Sequence, residues 1–210
     1  MPVRSVRSAV TLIALLALPL DAQVGRAVTA LEANTAAVGE MAQLPGLTAA
    51  LAQEIVAARP FLSAAAFDAF LAPRLSGDQR TALYPRLFVH IDVNTATREE
   101  ISLIPGIGSR MVSEFLDHRP YRAMAQFRRE IGRHVDSTAV ARLEQYVFVP
   151  MDLNTASDAD LMTIPGLGPR MLREFKEYRP YRAVEQFRRE IGKYVDAKEV
   201  ARLERYITIR

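Results

Sequence analysis

The chain contains no cysteine and only three histidines. The absence of cysteine excludes disulfide bonds, thiolate metal sites and a lipid-modified cysteine. After residue 20, no apolar run approaches the roughly 18 residues that a membrane-spanning helix needs. An excess of one charge is also missing, because the formal net charge is only +3 and residues 90–149 carry 8 basic and 8 acidic side chains. Any binding of a polyanion must therefore come from the arrangement of charges.

The first 22 residues differ from the rest of the chain. Arg4 and Arg7 precede an apolar run from Ala9 to Leu20, and the small residue Ala22 follows it. A basic region before an apolar run of about 12 residues is typical of a secretory signal. We therefore predict a signal peptide at 1–22 and an exported, periplasmic or extracellular protein with no membrane segment in its mature form. A retained N-terminal anchor is the alternative.

A repeat of sixty residues dominates the remaining sequence. Residues 92–149 align without a gap with residues 152–209, and 32 of the 58 positions are identical. A diverged copy upstream keeps an asparagine, a Pro-Gly pair and an Arg-Pro pair at the same spacing. We therefore predict three tandem units after the signal, called here the first, second and third repeats: 23–89, 90–149 and 150–210.

Each repeat is predicted to hold four or five short helices and no strand long enough to build a sheet. Thr97 and Glu100 have the spacing of a capping box, which begins a helix. A second helix is predicted at about residues 109–118, because Arg119-Pro120 then stops it. The connections "LFVHIDVNT" and "VFVPMDLNT" predict extended, packed segments. The last helix is predicted to carry an apolar stripe on one face: Val200, Leu203 and Ile207.

The stretch "IPGIGSR" at 104–110 recurs as "IPGLGPR" at 164–170. Its glycines permit positive φ angles, and they leave bare the amides that begin the next helix. Such helix N-termini bind phosphate through N–H groups and the helix dipole. Arg110 and Arg170 can each add a charge-assisted hydrogen bond. On the turn alone, a simple helix-joining turn with a surface arginine is the other interpretation.

The stretches "DVNTATREEISLIPGIGSRMVSEFLDHRPY" and "DLNTASDADLMTIPGLGPRMLREFKEYRPY" resemble the helix-hairpin-helix domains of the ComEA family of competence proteins. The resemblance covers nearly all of 90–210 and, more faintly, 31–89. It implies an all-α fold of three tandem helix-hairpin-helix (SAM-like) units of about sixty residues. It also implies sequence-independent binding of double-stranded DNA, with the hairpin amides on phosphates. The positions expected to bind phosphate are Gly106, Ile107, Gly108, Ser109, Arg110, Gly166, Leu167, Gly168 and Arg170.

The sequence departs from the family pattern in three places. Val112 and Leu172 stand where the family usually has a small alanine, which implies looser or shifted helix packing. In the first repeat, Thr48 and Ala50 replace the second glycine and the arginine, so this repeat is expected to be structural. The second hairpin of each of the other repeats keeps one glycine where two are expected: Gly132 and Gly192.

Other residue types give no sign of catalysis. The histidines His90, His118 and His134 do not recur one repeat later, and tyrosine replaces two of them, so we predict surface histidines and no metal site. Tyr121 and Tyr181 are expected to fill the core rather than stack on bases. No catalytic triad or paired-carboxylate geometry can be argued, and the prediction is that the protein is not an enzyme and has no cofactor. Whether a monovalent cation occupies the hairpins stays open.

The leading hypothesis is therefore a non-enzymatic protein that binds duplex DNA through backbone amides, with a role in DNA uptake as one setting. The second hypothesis is a structural or protein-interaction module of the cell envelope or of a secretion system, with an envelope protein as partner. The mixed charge and the degenerate second hairpins favour this alternative.

Overall fold

A computed structural model describes residues 24–26 and 29–210. The predicted signal peptide, residues 1–22, lies outside the described residues. Within the described part the protein is mainly α-helical, with twelve short helices and six strands of two residues each. In that same part, no helix combines the length and the apolar character that crossing a membrane requires.

The elements follow one order in each repeat: a strand, four helices and a second strand. The first repeat contains β1 (Leu31–Glu32), α1 (Val38–Met41), α2 (Ala49–Ala58), α3 (Ala64–Leu71), α4 (Gly77–Leu83) and β2 (Leu87–Phe88). The second contains β3 (Ile91–Asp92), α5 (Arg98–Ser102), α6 (Ser109–Asp117), α7 (Met124–Ile131), α8 (Ser137–Glu144) and β4 (Val147–Phe148). The third contains β5 (Met151–Asp152), α9 (Asp158–Leu161), α10 (Pro169–Glu177), α11 (Val184–Ile191), α12 (Ala197–Glu204) and β6 (Ile207–Thr208).

The first and last strands of each repeat pair in parallel and form a two-stranded sheet. The prediction that the connecting segments are extended is confirmed, since β2 to β5 lie in them. The expectation that no sheet forms is wrong, although each ladder is only two residues long. Ile207 is a second correction, because it lies in β6 opposite Met151 and not on the last helix, which ends at Glu204. Backbone pairing with β5 takes over at this point, and Leu153 N–H donates to Thr208 O at 2.8 Å.

In each repeat, one asparagine and one arginine form a set of hydrogen bonds to the backbone, called here the asparagine frame. In the second repeat, Asn94 Oδ1 accepts the N–H of Tyr121 at 2.7 Å, and Asn94 Nδ2 donates to Tyr121 O at 2.9 Å. Arg119 Nη2 donates to Ala96 O at 2.7 Å. The frame joins the opening turn to the segment after the second helix. The other repeats hold the same frame, with the asparagines and arginines Asn34, Asn154, Arg59 and Arg179.

The core is built from the apolar stripes of the helices. One buried cluster joins the first two repeats, and a second lies mainly in the third. The prediction for Tyr121 and Tyr181 is confirmed, because the residues are only 1% and 2% exposed. Val112 is 2% exposed and belongs to the core, while the looser or shifted helix packing expected at this position stays a prediction. Leu172 is half-buried.

The three repeats meet at a buried polar junction. His90 Nδ1 lies 3.0 Å from Glu32 Oε2, and both side chains are buried, so the prediction of a surface histidine is wrong for His90. His90 O accepts a hydrogen bond from Arg205 Nη2 at 2.5 Å, which ties the third repeat to the first two. Burial alone would raise the pKa of Glu32, but the charge and hydrogen bonds of His90 outweigh burial and lower that pKa.

Candidate nucleic-acid interface

Three Pro-Gly turns, at 45–48, 105–108 and 165–168, precede the second helix of each repeat. In the second turn, Gly106 has φ +69° and the Ile107 N–H donates to Ile104 O at 3.2 Å. Gly108 then caps α6 with φ −91°, an angle that any residue adopts. Of the two glycines, only the first needs its conformational freedom. This corrects the expectation that both supply positive φ.

The second glycine leaves the start of the following helix uncovered. A β-carbon built on Gly108 or on Gly168 would meet no other atom within 4 Å. The fold therefore does not require a glycine at either position. What the missing side chain does provide is open access to the first turn of α6 and of α10.

Amide donors at the start of α6 have no hydrogen-bond partner in the described part of the protein. The first helical hydrogen bond runs from Val112 N to Gly108 O at 3.1 Å. Among the described residues no side chain caps α6, and none accepts from the N–H groups of Gly108, Ser109 or Arg110. These donors, together with the helix dipole, favour an anion at this end.

The first Pro-Gly turn has the same backbone and a different cap. Gly46 has φ +80°, and Leu47 N–H donates to Leu44 O at 3.1 Å. Thr48 Oγ1 accepts the N–H of Leu51 at 3.1 Å, so one free amide of α2 is satisfied internally. The expectation that this repeat is structural agrees with that cap.

Two of the predicted phosphate-binding positions are structural. The N–H groups of Ile107 and Leu167 close their own turns, donating to Ile104 O at 3.2 Å and to Ile164 O at 3.0 Å. Both side chains pack on the core, and Leu167 is only 6% exposed. Because their donors are already used, Ile107 and Leu167 are removed from the candidate site.

The second Pro-Gly turn carries two exposed arginines. The Arg110 side chain is 83% exposed, and its Nε lies as far as 3.9 Å from Glu114 Oε1. Arg142 is exposed on α8, and its Nη1 would lie 2.5 Å from a β-carbon placed on Gly106. Within residues 24–26 and 29–210, no carboxylate forms an ion pair with Arg142.

Sequence reasoning missed Arg142, because it lies 36 positions after Gly106 and outside the motif. The available signal was its recurrence as Arg202 within the identical stretch "VARLE". Because this arginine recurs sixty residues later in the equivalent helix, the same contact with the Pro-Gly turn is expected within each of the two repeats.

At the third Pro-Gly turn, the arginine equivalent to Arg142 is buried and hydrogen-bonded. Arg202 is 4% exposed and donates to Pro165 O at 2.6 Å and to both carboxylate oxygens of Glu199 at 2.7 Å. Burial alone would lower the pKa of Arg202, but the hydrogen bonds and charge of Glu199 outweigh burial and raise that pKa. The methyl carbon of Thr35, from the first repeat, lies 3.1 Å from a β-carbon built on Gly166. Arg170 remains exposed, so this turn is the more covered and the less positive of the two.

The second hairpin of each repeat already holds an acceptor at its helix start. Asp136 Oδ1 accepts the N–H of Ala139 at 2.8 Å, and Asp196 Oδ1 accepts the N–H of Glu199 at 2.8 Å. A carboxylate at the helix start accepts the hydrogen bond of the backbone N–H, and its negative charge repels a phosphate. Gly132 and Gly192 therefore mark helix ends rather than additional phosphate sites.

The Arg-Arg pairs before these hairpins are neutralised. Arg128 Nε lies 2.7 Å from Glu144 Oε2, and Arg188 Nη2 lies 2.6 Å from Glu204 Oε1. These pairs therefore add little positive charge to the surface beside the Pro-Gly turns.

Comparison of the chain with models of protein families, with curated proteins and with solved structures finds no match. The function of the site has to be inferred from the Pro-Gly turns themselves.

Proposed function

We propose that the protein is an exported, non-enzymatic protein of three tandem helix-hairpin-helix units, similar to the ComEA family, that binds double-stranded DNA. The observation that carries this proposal is the N-terminus of α6, which no side chain of the described residues caps, with the exposed Arg110 in its first turn and the exposed Arg142 beside Gly106. The free amides, Arg142, which has no ion pair among the described residues, and Arg110, whose Nε is 3.9 Å from Glu114 Oε1, form a place for one or two adjacent phosphates.

In this mechanism a backbone phosphate accepts hydrogen bonds from the N–H groups of Gly108, Ser109 and Arg110. The positive end of the α6 dipole adds to the attraction. The guanidinium groups of Arg110 and Arg142 supply charge-assisted hydrogen bonds to the same or to the next phosphate. The third Pro-Gly turn adds a weaker contact through Arg170.

Phosphate contacts fix the position of a duplex without reading its bases. Binding is therefore expected to be independent of sequence and strongly dependent on salt. If Arg110, Arg142 and Arg170 each neutralise one phosphate, the slope of log K against log salt is about −2.7, from −0.9 for each phosphate. Dissociation constants on the order of 10⁻⁶ to 10⁻⁴ M are typical of such non-specific binding.

Fluorescence anisotropy tests the proposal, with the protein lacking residues 1–22 titrated into labelled duplexes at several salt concentrations. Equal affinities for an A·T-rich and a G·C-rich duplex, and a slope near the expected value, support it. Absence of saturable binding at low salt contradicts it, and so does affinity that is unchanged in the Arg110→Glu/Arg170→Glu variant.

A second candidate is a protein-interaction module of the cell envelope. The observation in its favour is that the Arg-Arg pairs of the second and third repeats are paired with carboxylates, as Arg128 and Arg188 are. Under this hypothesis, the duplex titration gives no saturable signal. A specific envelope protein would then stay bound to the immobilised chain after nuclease treatment, and a shared DNA tether would not explain its retention.

A further inference from the structure

Glu114, His118 and His134 come together at one edge of the second repeat. Glu114 lies in the last turns of α6, His118 caps the C-terminus of that helix, and His134 follows α7. His134 Nε2 lies 3.2 Å from Glu114 Oε2, and His118 Nε2 lies 3.7 Å from the same oxygen. One ligand atom from each residue lies within 4.8 Å of the other two.

These separations are close to those of a tetrahedral zinc site. Zinc binds histidine nitrogen and carboxylate oxygen at about 2.0–2.2 Å, which places neighbouring ligands of a tetrahedron about 3.3 Å apart. The two measured distances to Glu114 Oε2 lie on either side of that value. The imidazole rings of His118 and His134 have their centroids 5.8 Å apart.

The cluster contains an unpartnered imidazole nitrogen and is partly exposed. His118 Nε2 is buried and has no hydrogen-bond partner among the described residues. The side chains of the three residues are 21–27% exposed, so a metal ion from solvent can reach them.

The other repeats keep the glutamate at this position but have no histidine there. In the third repeat the two histidines are replaced by Tyr178 and Tyr194, whose hydroxyl oxygens lie 2.8 Å apart and hydrogen-bond to each other. In the first repeat an ion pair occupies it, with Arg74 Nε 2.7 Å from Glu54 Oε2. Each repeat therefore links the second and third helices at this position, and the second repeat places two imidazoles and one carboxylate there.

We propose that Glu114, His118 and His134 bind one Zn²⁺ ion, with water in the fourth position. Two imidazole nitrogens with one carboxylate oxygen suit a borderline divalent ion of the zinc type better than Mg²⁺ or Ca²⁺, which prefer oxygen ligands. The bound ion cross-links the C-terminal ends of α6 and α7. This inference does not depend on DNA binding.

Isothermal titration of the tag-free protein with zinc chloride tests the site, and magnesium chloride is the control titrant. The expected result is one Zn²⁺ ion per chain and no comparable binding of Mg²⁺. The His118→Tyr/His134→Tyr variant copies the residues of the third repeat, so it keeps a side-chain pair that this fold accommodates. We expect it to lose at least about 100-fold in zinc affinity, and Glu114→Gln to lose at least about 10-fold, since each removes ligands of the tetrahedral set.

Thermal unfolding gives a second readout. A ligand that binds only the folded state raises the melting temperature, by about 5 °C for a chain of this size at a hundredfold excess over Kd. That rise is expected for the wild-type chain and absent from the double tyrosine variant. The proposal is overturned if the folded wild-type protein does not bind zinc, or if the tyrosine variant binds it with unchanged affinity and stoichiometry.

Discussion

The first and second Pro-Gly turns have almost the same backbone conformation, but they differ in whether a side chain caps the helix that follows. Gly46 and Gly106 have φ angles of +80° and +69°, and the following amide closes each turn onto the preceding helix. In the first turn the hydroxyl of Thr48 caps the next helix. In the second, Gly108 leaves the helix end open beside Arg110. The Pro-Gly pair therefore belongs to the fold, and the residues after it decide whether an anion can bind.

The third turn lies between these two cases. It keeps the open glycine, Gly168, and the exposed Arg170. However, Glu199 neutralises Arg202, whereas the corresponding position in the second repeat is Ala139 and Arg142 keeps its charge. We therefore expect the contributions to DNA affinity to rank as second turn, then third turn, then first turn.

The largest expected effect comes from reversing the charges at the second turn. Arg110→Glu/Arg142→Glu removes two charge-assisted hydrogen bonds, each worth about 1.5–3 kcal/mol, and introduces repulsion. Duplex affinity measured by anisotropy should fall about 100-fold or more, and the salt slope should decrease by about 1.8 in magnitude.

The matched control for this variant is Arg86→Glu/Arg182→Glu, which makes the same change of net charge at exposed arginines away from the turns. Its affinity should fall far less. Equal losses in the two double variants would show that bulk charge, and not the second Pro-Gly turn, attracts the duplex.

The asparagine frame should be equally important in a repeat that binds and in one that does not. Asn94→Ala leaves the N–H and the carbonyl of Tyr121 unpaired. We expect a loss of about 2 kcal/mol in the free energy of unfolding, because unsatisfied buried polar groups cost about 1–3 kcal/mol. Urea denaturation measures this loss, and Asn34→Ala should give a similar value. A loss below about 0.5 kcal/mol in both variants would contradict this role for the frame.

Much of this local structure could be predicted from the sequence because its causes are close together along the chain. The capping box of Thr97 and Glu100 is confirmed, and the predicted helix at 109–118 is α6 (Ser109–Asp117). The end of the last helix could not be predicted, since Ile207 leaves it only because β5 offers backbone partners.

Only part of the candidate site could be predicted from the sequence, because some of its residues are far apart along the chain. Gly108 and Arg110 lie within one motif, so the pattern identifies them. Arg142 reaches the turn from another helix, and the difference from Arg202 depends on a carboxylate three residues earlier in α12. His118 and His134 are 16 residues apart, and only the packing of α6 and α7 brings them together.

A smaller effect is expected when the cap of the first turn is copied into the second. In Gly108→Thr the new hydroxyl accepts a backbone N–H of α6, as Thr48 does in α2, and its β-carbon covers the helix end. Losing one phosphate hydrogen bond of about 1 kcal/mol should weaken duplex binding about fivefold.

The melting temperature separates this effect from misfolding. Threonine and glycine differ by only a few tenths of a kcal/mol as helix caps, so Gly108→Thr should melt within about 2 °C of the wild type. Full duplex affinity in a variant that is folded and capped would show that the α6 amides do not contact phosphate.

The smallest effect tests why the second and third turns differ. Ala139→Glu places a carboxylate three residues before Arg142, as Glu199 stands before Arg202. An ion pair at an exposed position is worth about 0.2–1 kcal/mol, so duplex affinity should fall about threefold and the salt slope should lose up to about 0.9. The reverse change, Glu199→Ala, leaves a buried guanidinium without its carboxylate and should destabilise the third repeat without a matching gain in affinity. An unchanged salt slope in Ala139→Glu would remove Arg142 from the interface and leave the α6 amides and Arg110 as the whole of the second-turn contact.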